Sequence, residues 1–387
     1  MSEDQPSTWT RRQVLAGAAV AMVGAGASKN DRSAELIRFL DAEMAAESFP
    51  GYAVTASLKG HVVLRRAGGT YYRLGDPKRP MKFSVIHPFY SFSKLISSTA
   101  IGMAVGDGLV DWDTPVRTWI PEFAGGGKDG ITIRQLLTHS AGIPDPPGLG
   151  PARTKAEWDA AVKAVCAAKT EWEPGSRTFY HALSGQLIAA EAVLRRSGSP
   201  SWDDYCRKKL FGPLGARSLR FSVPPDNLEV AITPQPAEPP KTHFDALSLS
   251  GHPAGGCSGS PTDALKVLQL HLNGGKWNGR QLLPEAVFRE MHTVQYRREI
   301  EAARRAGRQP EHEPWGLGPL LRGDGPSAPS HPWFGFANQA SPGVFGHAGI
   351  DTVIGIADMN SGIALFFVTT NSPKTPEKTV EIRNGLT

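Results

Sequence analysis

The pattern of apolar and polar positions differs between the ends of the chain and its middle. Near the start, short runs rich in β-branched and aromatic residues lie at 52–58 and 61–66 and are joined at Lys59-Gly60. Two such runs around a two-residue turn signal are typical of a β-hairpin. Strand-like runs return at 345–347, 352–357 and 363–369. The pattern therefore predicts strands at both ends of the chain.

In the middle of the chain, apolar residues recur at helical spacing. These runs are separated by Pro- and Gly-rich loops and lie at 133–139, 156–168, 184–196 and 202–211. A further amphipathic helix is predicted at 34–45, before the first strand. Strand-rich ends around a helix-rich middle indicate a discontinuous α/β domain, at 28–113 and 251–387, with an all-helical domain inserted at 114–250.

Composition and charge are those of a sizeable folded protein. The chain has 387 residues, of which 40% are hydrophobic and 20% charged, so it can bury a large core. The net charge of +5 is mild, and basic residues are not interleaved with aromatic ones, which argues against a nucleic-acid partner. The densest basic run, at 297–308, is interrupted by Glu299 and Glu301, which predicts a solvated helix.

The cysteines do not indicate a disulfide framework or a metal site. Cys166, Cys206 and Cys257 are too few and too scattered for either, and the chain has no Cys-x-x-Cys and no His-Glu-x-x-His. No metal site is therefore predicted.

The N-terminus resembles a twin-arginine export signal. Arg11 and Arg12 are followed by an apolar run at 14–27 that ends in small residues. This run is short for a bilayer span, which needs about 20 residues. We therefore expect residues 1–27 to be a signal peptide and the protein to be periplasmic or extracellular, or membrane-tethered if the signal is not cleaved. No stable membrane span is expected after its removal.

A serine and a lysine three residues apart are the first candidate for chemistry. In the stretch 89–96, Ser91 and Lys94 share one face of a helix, which the apolar spacing predicts to continue to Gly106-Asp107-Gly108. Ser91 then lies in the first turn, where a backbone N–H without an intrahelical partner can bind an oxyanion. A solvated Ser and Lys on a helix surface is the alternative at this point.

Further motifs, in order along the chain, resemble those of the serine β-lactamase and penicillin-binding-protein-like hydrolases, in particular the esterases related to class C β-lactamases. The resemblance covers residues 49–371. The residues that carry it are Ser91-Phe92-Ser93-Lys94, the runs 111–116 and 131–144, Glu173-Pro174-Gly175 leading to Tyr180, the run 211–215, Ala254-Gly255-Gly256, Asn273-Gly274-Gly275 and the run 345–349. It implies an α+β fold in which an antiparallel sheet is flanked by helices, with the active site in the cleft beside an inserted helical domain.

The resemblance also implies roles for the matching residues. Ser91 would be the nucleophile that forms an acyl-enzyme. Lys94 would take its proton if burial lowers the pKa of the amine, and Tyr180 would pass a proton to the leaving group.

The third motif of the family matches His347-Ala348-Gly349 and would form a strand along the active site. The N–H of Ile350 would join that of Ser91 in the oxyanion hole. His347, Gly349 and His181 are further candidates for substrate binding, and His347 is equally compatible with holding the backbone.

Two departures from the family motifs bear on the substrate. Ala182 stands where many members have an Asn amide, and His347 stands where many have a lysine that pairs with a substrate carboxylate. Both departures favour an ester over a β-lactam or peptide. Ile350 is bulkier than the small residue expected there and could narrow the acyl pocket.

A second serine motif, Thr138-His139-Ser140-Ala141-Gly142, is similar to the Gly-x-Ser-x-Gly elbow of α/β-hydrolases. It begins with Thr and follows a helical pattern where the elbow needs a strand. His139 and Ser140 are therefore expected to order a loop.

The sequence thus predicts an exported serine hydrolase that cleaves a carboxylic ester with a short acyl chain, with no metal or organic cofactor. Its partner would be a small-molecule ester or peptide substrate. The alternatives are a β-lactamase or D-amino-acid peptidase or transpeptidase, and a non-catalytic acyl- or cell-wall-binding protein of the same fold. The oligomeric state is not predicted.

Overall fold

A computed structural model describes residues 29–71, 79–147, 149, 152–222, 230–231, 250–322, 340–350, 353–370 and 376–386. The predicted signal peptide at 1–27 lies outside the described residues. In the described part, strands gather at the two ends of the chain and helices fill the middle. This is the arrangement that the sequence predicts.

A seven-stranded antiparallel sheet forms one layer. Its strands, in spatial order, are Arg79–Pro80 (β3), His61–Tyr71 (β2), Gly51–Leu58 (β1), Ile363–Thr369 (β11), Val353–Asp358 (β10), Val344–Gly349 (β9) and Leu320–Leu321 (β8). The first and last long strands are therefore neighbours, with Tyr52 opposite Thr369. Two further two-stranded sheets in the described part pair β4 His87–Pro88 with β5 Ser258–Gly259, and β6 Lys276–Trp277 with β7 Arg280–Gln281.

The predicted hairpin is confirmed at the turn between β1 and β2. Lys59 and Gly60 both have positive φ angles, of 50° and 82°. Two central residues of this kind form the two-residue turn whose twist matches that of the flanking strands. Strand β2 is longer than predicted and continues to Tyr71.

The predicted helices are confirmed, with ends that differ by one or a few residues. None of the described helices is long and apolar enough to cross a membrane. They are α1 Lys29–Ala45, α2 Ser93–Gly106, α3 Ile133–Leu137, α4 Lys155–Ala167, α5 Ser184–Ser197, α6 Trp202–Cys206, α7 Gly212–Leu214, α8 Pro261–Leu272, α9 Glu285–Met291, α10 Arg297–Arg305 and α11 Pro376–Leu386.

Local sequence explains several helix ends. Thr132 and Gln135 form a reciprocal capping box at the start of α3, and Thr154 and Glu157 form another at the start of α4. The run predicted at 202–211 is divided, because α6 passes into a π-helical turn at Arg207–Phe211. The basic run forms α10, which is largely exposed as predicted.

The core is continuous around α2, whose residues from Ser93 to Ala104 are all buried. One apolar cluster joins this helix to the inner face of the sheet, for example through Phe92 and Phe366, and to the helical segment. A second cluster covers the opposite face of the sheet, where Tyr52 and Phe367 lie near α1. The alternation of side chains along β1 and β11 supplies both faces. The domain boundaries at 113/114 and 250/251 stay a prediction.

We predict that Gly355→Ala destabilises the protein. A Cβ at Gly355 in β10 would lie 2.1 Å from the ring of Phe92, the residue after Ser91, and that ring is fully buried. Overpacking of this kind costs about 1–3 kcal/mol. Thermal or denaturant unfolding measures the loss.

Gly130→Ala is the matched control, since a Cβ there meets nothing within 4 Å in an exposed turn. Its free energy of unfolding should change by no more than about 0.5 kcal/mol. Equal stabilities for the two variants would contradict the packing of Phe92 against β10.

Candidate active site

Ser91 lies in a tight turn that leads into the buried helix α2. A 3₁₀ turn spans Tyr90–Phe92, and the α-helix begins at Ser93, so Ser91 precedes the helix rather than lying in its first α-helical turn. Its neighbours Tyr90 and Phe92 are buried, whereas Ser91 keeps some exposure. The serine hydroxyl can therefore meet a ligand while its backbone is held by the core.

Lys94 is buried beside the Ser91 hydroxyl. Its Nζ lies 3.1 Å from Ser91 Oγ and 3.0 Å from the carbonyl oxygen of Ala254. The side chain is 1% exposed, and this burial lowers the pKa of Lys94 to about 7. Burial disfavours the charged amine. A fraction of the amine is then neutral near pH 7 and able to accept a proton.

The loop at 250–257 is hydrogen-bonded to α2 and to the residues just before it. Ser97 Oγ donates to the Pro253 carbonyl at 2.7 Å, and the Cys257 N–H donates to Ser93 Oγ at 3.0 Å. The Phe89 N–H donates to the Cys257 carbonyl at 2.9 Å. These bonds fix the loop from which the Ala254 carbonyl reaches Lys94.

Tyr180 completes a group of three polar side chains. A hydrogen bond joins its phenol to Ser91, and its ring centroid lies 5.0 Å from Lys94 Nζ. Burial raises the pKa of Tyr180, and the hydrogen bond to Ser91 opposes that rise. The phenol is therefore protonated at neutral pH and can donate. The structure brings the three predicted residues together around one oxygen.

Three rings hold the Tyr180 ring in place. Its centroid lies 4.5 Å from that of His139, 6.2 Å from that of Trp315 and 6.3 Å from that of His347. Trp315 is fully buried and donates from Nε1 to Glu313 Oε2 at 3.0 Å. This packing limits the rotation of the Tyr180 side chain.

Strand β9 runs beside the Ser91 turn, as expected for His347 and Gly349. A Cβ at Gly349 would lie 2.2 Å from the Phe89 carbonyl oxygen, so a glycine is required for this close approach. His347 is 1% exposed, and its Nδ1–H donates to the Ala348 carbonyl at 2.8 Å. The roles of Gly349, His347 and Ile350 in binding stay predictions.

Unusual backbone conformations cluster here. Tyr90, His139 and Ile350 have positive φ angles of 47°, 57° and 27°. This is costly for residues with a Cβ, above all for a β-branched isoleucine, and such residues concentrate at functional sites. Each of the three lies on a segment that meets the Ser91, Lys94 and Tyr180 group.

The ring of His181 contacts Trp172, Phe179 and Glu171. The ring stacks on Trp172 with centroids 5.0 Å apart, and Nε2 lies 3.2 Å from Glu171 Oε2. Phe179 packs edge-on against both rings and is 60% exposed. A part for His181 in substrate binding stays a prediction.

Comparison with known proteins identifies the family to which the chain belongs. The family model described as Beta-lactamase matches residues 36–386, nearly the whole chain. The chain belongs to the beta-lactamase family. The antiparallel sheet with flanking helices is the fold of this family, as the sequence predicts.

Two similar proteins are esterases by name. Esterase EstB of Burkholderia gladioli is 25% identical over 371 residues, which cover 84% of this chain and 88% of that protein. The crystal structure of a family VIII carboxylesterase is 22% identical, with a TM-score of 0.72, and the match covers 94% of this chain and 98% of that one.

A third relative is named for penicillin binding. Penicillin-binding protein 4 of Amycolatopsis lactamdurans is 29% identical over 199 residues, or 48% of this chain and 50% of that protein. With esterase and penicillin-binding relatives in the beta-lactamase family, this chain is a serine hydrolase.

Sequence reasoning missed part of this beta-lactamase-family site. Trp315 lies outside the sequence motifs. Its contact with Tyr180 depends on packing between two segments that are far apart in the chain. His139 and Ser140 order a loop as predicted, since Ser140 Oγ bonds to Tyr296 and the Phe179 N–H donates to the His139 carbonyl. The ring of His139 in addition supports Tyr180, which its place next to a serine did not indicate.

We predict that kcat/KM for an ester substrate rises with pH to a midpoint near pH 7. Lys94 accepts a proton only when neutral, so below its pKa of about 7 the rate should fall about tenfold per pH unit. Stopped-assay rates between pH 5 and 9 measure the profile.

Lys128→Met is the control, because Lys128 is a buried lysine whose Nζ bonds to the Ala168 carbonyl, away from Ser91. This variant should keep the midpoint even if it loses stability. A wild-type midpoint below pH 5 would contradict the neutral-amine role of Lys94.

Proposed function

We propose that the protein hydrolyses carboxylic esters with a short acyl chain through an acyl-enzyme on Ser91. The observation that carries the proposal is the sharing of one oxygen: Ser91 Oγ contacts both the Lys94 amine and the Tyr180 phenol. A partly neutral amine and a protonated phenol on the same hydroxyl form a base and an acid. Acyl transfer to a serine requires a base that takes the hydroxyl proton and an acid that protonates the leaving group.

In the first half-reaction, neutral Lys94 takes the proton of Ser91 while Oγ attacks the ester carbonyl. Tyr180 gives its proton to the departing alkoxide, and the alcohol leaves. The Lys94 ammonium then returns a proton to Tyr180. Protons balance, and the product is an ester of Ser91.

In the second half-reaction, a water molecule loses a proton to Lys94 and attacks the Ser91 ester. Tyr180 protonates Ser91 Oγ as the carboxylic acid leaves, and Lys94 again restores Tyr180. The N–H groups of Ser91 and Ile350 would stabilise the carbonyl oxygen in both steps. The approach of Gly349 to Phe89 supports this part of the proposal.

An ester is favoured over an amide by what the site offers a substrate. Ala182 has no side-chain amide, and its N–H donates to Asp145 Oδ2 at 2.7 Å. His347 is buried among aromatic rings, including Trp315 at 5.7 Å between centroids, and it stands where many members of the family have a lysine that pairs with a substrate carboxylate. Esters also have a better leaving group, so they need fewer contacts. The esterase relatives agree with this preference.

We predict that Ser91→Ala lowers kcat for a p-nitrophenyl ester of a short acid by about 10⁴-fold or more, because the acyl-enzyme cannot form. Ser176→Ala, at an exposed serine outside the site, should keep the wild-type rate. Spectrophotometric rates and a thermal melt of each variant provide the measurement. Undiminished turnover by folded Ser91→Ala would overturn the assignment.

A substrate panel separates the alternatives. Short esters, a chromogenic cephalosporin, a D-alanyl-D-alanine peptide and a fluorescent penicillin are offered to the wild-type protein. Fast ester turnover with slow penicillin labelling supports the proposal. A long-lived penicillin adduct or peptide cleavage that outpaces ester cleavage indicates a peptidase, and no labelling by penicillin or fluorophosphonate indicates a binding protein.

We also propose that the protein is exported through the twin-arginine pathway. The motif at Arg11 and Arg12, followed by the apolar run at 14–27, supports this. Cys206 and Cys257 are buried free thiols, which suits folding before export.

Replacing both arginines with lysine (Arg11→Lys with Arg12→Lys) keeps the charge and should retain the protein in the cytoplasm, as cell fractionation would measure. The same fractionation of wild-type protein is the control. Unchanged export of the double variant would contradict the proposal.

A further inference from the structure

The carboxylate of Asp145 accepts an unusual number of hydrogen bonds next to the site. Its Oδ2 accepts from the Ala182 N–H at 2.7 Å, and its Oδ1 accepts from the Leu183 N–H at 3.1 Å and the Ser184 N–H at 2.8 Å. Ser184 Oγ lies 2.5 Å from Oδ1. One side chain therefore binds three consecutive backbone donors, which begin two residues after Tyr180.

These donors belong to the start of helix α5, Ser184–Ser197. The first N–H groups of a helix lack intrahelical partners and need an acceptor. Leu183, at the N-cap position, offers no side-chain oxygen, and no side-chain cap bond is formed there. Asp145, from a distant part of the chain, supplies the acceptor oxygens that cap the helix. The conformation of the short segment between Tyr180 and α5 therefore depends on Asp145.

The segment from His139 to Asp145 holds Tyr180 from both sides. Before Tyr180, the Phe179 N–H donates to the His139 carbonyl at 3.0 Å. After it, Ala182 donates to Asp145. The His139 ring also packs on the Tyr180 ring. Loss of the Asp145 contacts would free one end of this short stretch, and with it the phenol.

Asp145 also acts on Lys94 through its charge. Burial lowers the pKa of Lys94, and the negative charge of Asp145 opposes that lowering. On the 250–257 loop, His252 faces the same charges; burial lowers its pKa to about 3, so it is neutral. Tyr180 is a neutral phenol, and His139 and His347 pack on its ring.

We propose that Asp145 is a positioning residue of this ester-hydrolysing centre, which fixes the backbone that carries Tyr180 and supplies a negative charge that balances the Lys94 ammonium. The inference rests on the proposed function of Ser91, Lys94 and Tyr180. It assigns two separable effects to one side chain, one through geometry and one through charge.

The two effects are tested by two variants. Asp145→Asn removes the charge and keeps an acceptor oxygen; kcat should fall at least tenfold, and the acidic limb of the kcat/KM profile should move to lower pH by about 0.5–1 unit, because Lys94 loses the charge that favours its protonated form. Asp145→Glu keeps the charge and displaces the oxygens, so kcat should fall at least threefold with the limb unmoved.

Ser184→Ala, which removes one neutral donor, is the control and should keep the limb at its wild-type pH. A wild-type limb in folded Asp145→Asn overturns the inference. If Asp145→Asn does not fold, wild-type kcat in Asp145→Glu, or a limb that moves in that variant, overturns it. Ser91→Ala is measured in parallel: activity there sinks the proposed function, whereas an inactive Ser91→Ala with an unmoved Asp145→Asn limb sinks only this inference.

Discussion

The burial of the Lys94 amine is the constraint on which the rest of the site depends. An ammonium loses much of its hydration at a 1% exposed position, and the pKa falls towards neutrality as a result. The cost is tolerable because two oxygens, Ser91 Oγ and the Ala254 carbonyl, contact the nitrogen. The loop that offers the carbonyl is in turn bonded to α2 through Ser97 and Cys257. The proposed nucleophile Ser91 and the proposed base Lys94 are thus held by α2 and by the 3₁₀ turn that leads into it.

The sheet contributes to the site by packing closely against the residues around Ser91, not by supplying side chains that react. Gly349 allows β9 to approach the Phe89 carbonyl, and Gly355 allows β10 to approach the Phe92 ring. Residues before and after Ser91 in the chain therefore pack against strands. Tyr90 and Ile350 adopt positive φ angles at this junction, where packing leaves little freedom. The turn that carries Ser91, the proposed nucleophile, is therefore held by contacts from the sheet as well as by the helix that follows it.

How far the sequence alone leads depends on the range of each interaction. The contact between Ser91 and Lys94 is local, because the 3₁₀ turn and the first turn of α2 set a separation of three residues, and the Lys59-Gly60 hairpin is equally local. Both are therefore predictable from sequence. Tyr180 was reached through motif order, since nothing near it in the sequence indicates a contact with Ser91. Trp315 and Asp145 could not be found, because their contacts with the Tyr180 segment arise from packing between segments more than 35 residues apart. The run 131–144, which carries part of the family resemblance, stops one residue before Asp145.

The proposed preference for an ester rests on charge as much as on shape. The centre combines an amine that is cationic only part of the time, a protonated phenol and a buried histidine. Asp145, whose charge acts on Lys94, has its oxygens occupied by the N–H groups of Ala182, Leu183 and Ser184. A substrate carboxylate would have to share Lys94, and protonating that amine would remove the base. A neutral ester makes no such demand, since it needs a donor for its leaving oxygen and a base for Ser91. The charge that would help bind a peptide terminus is the charge that would stop the reaction.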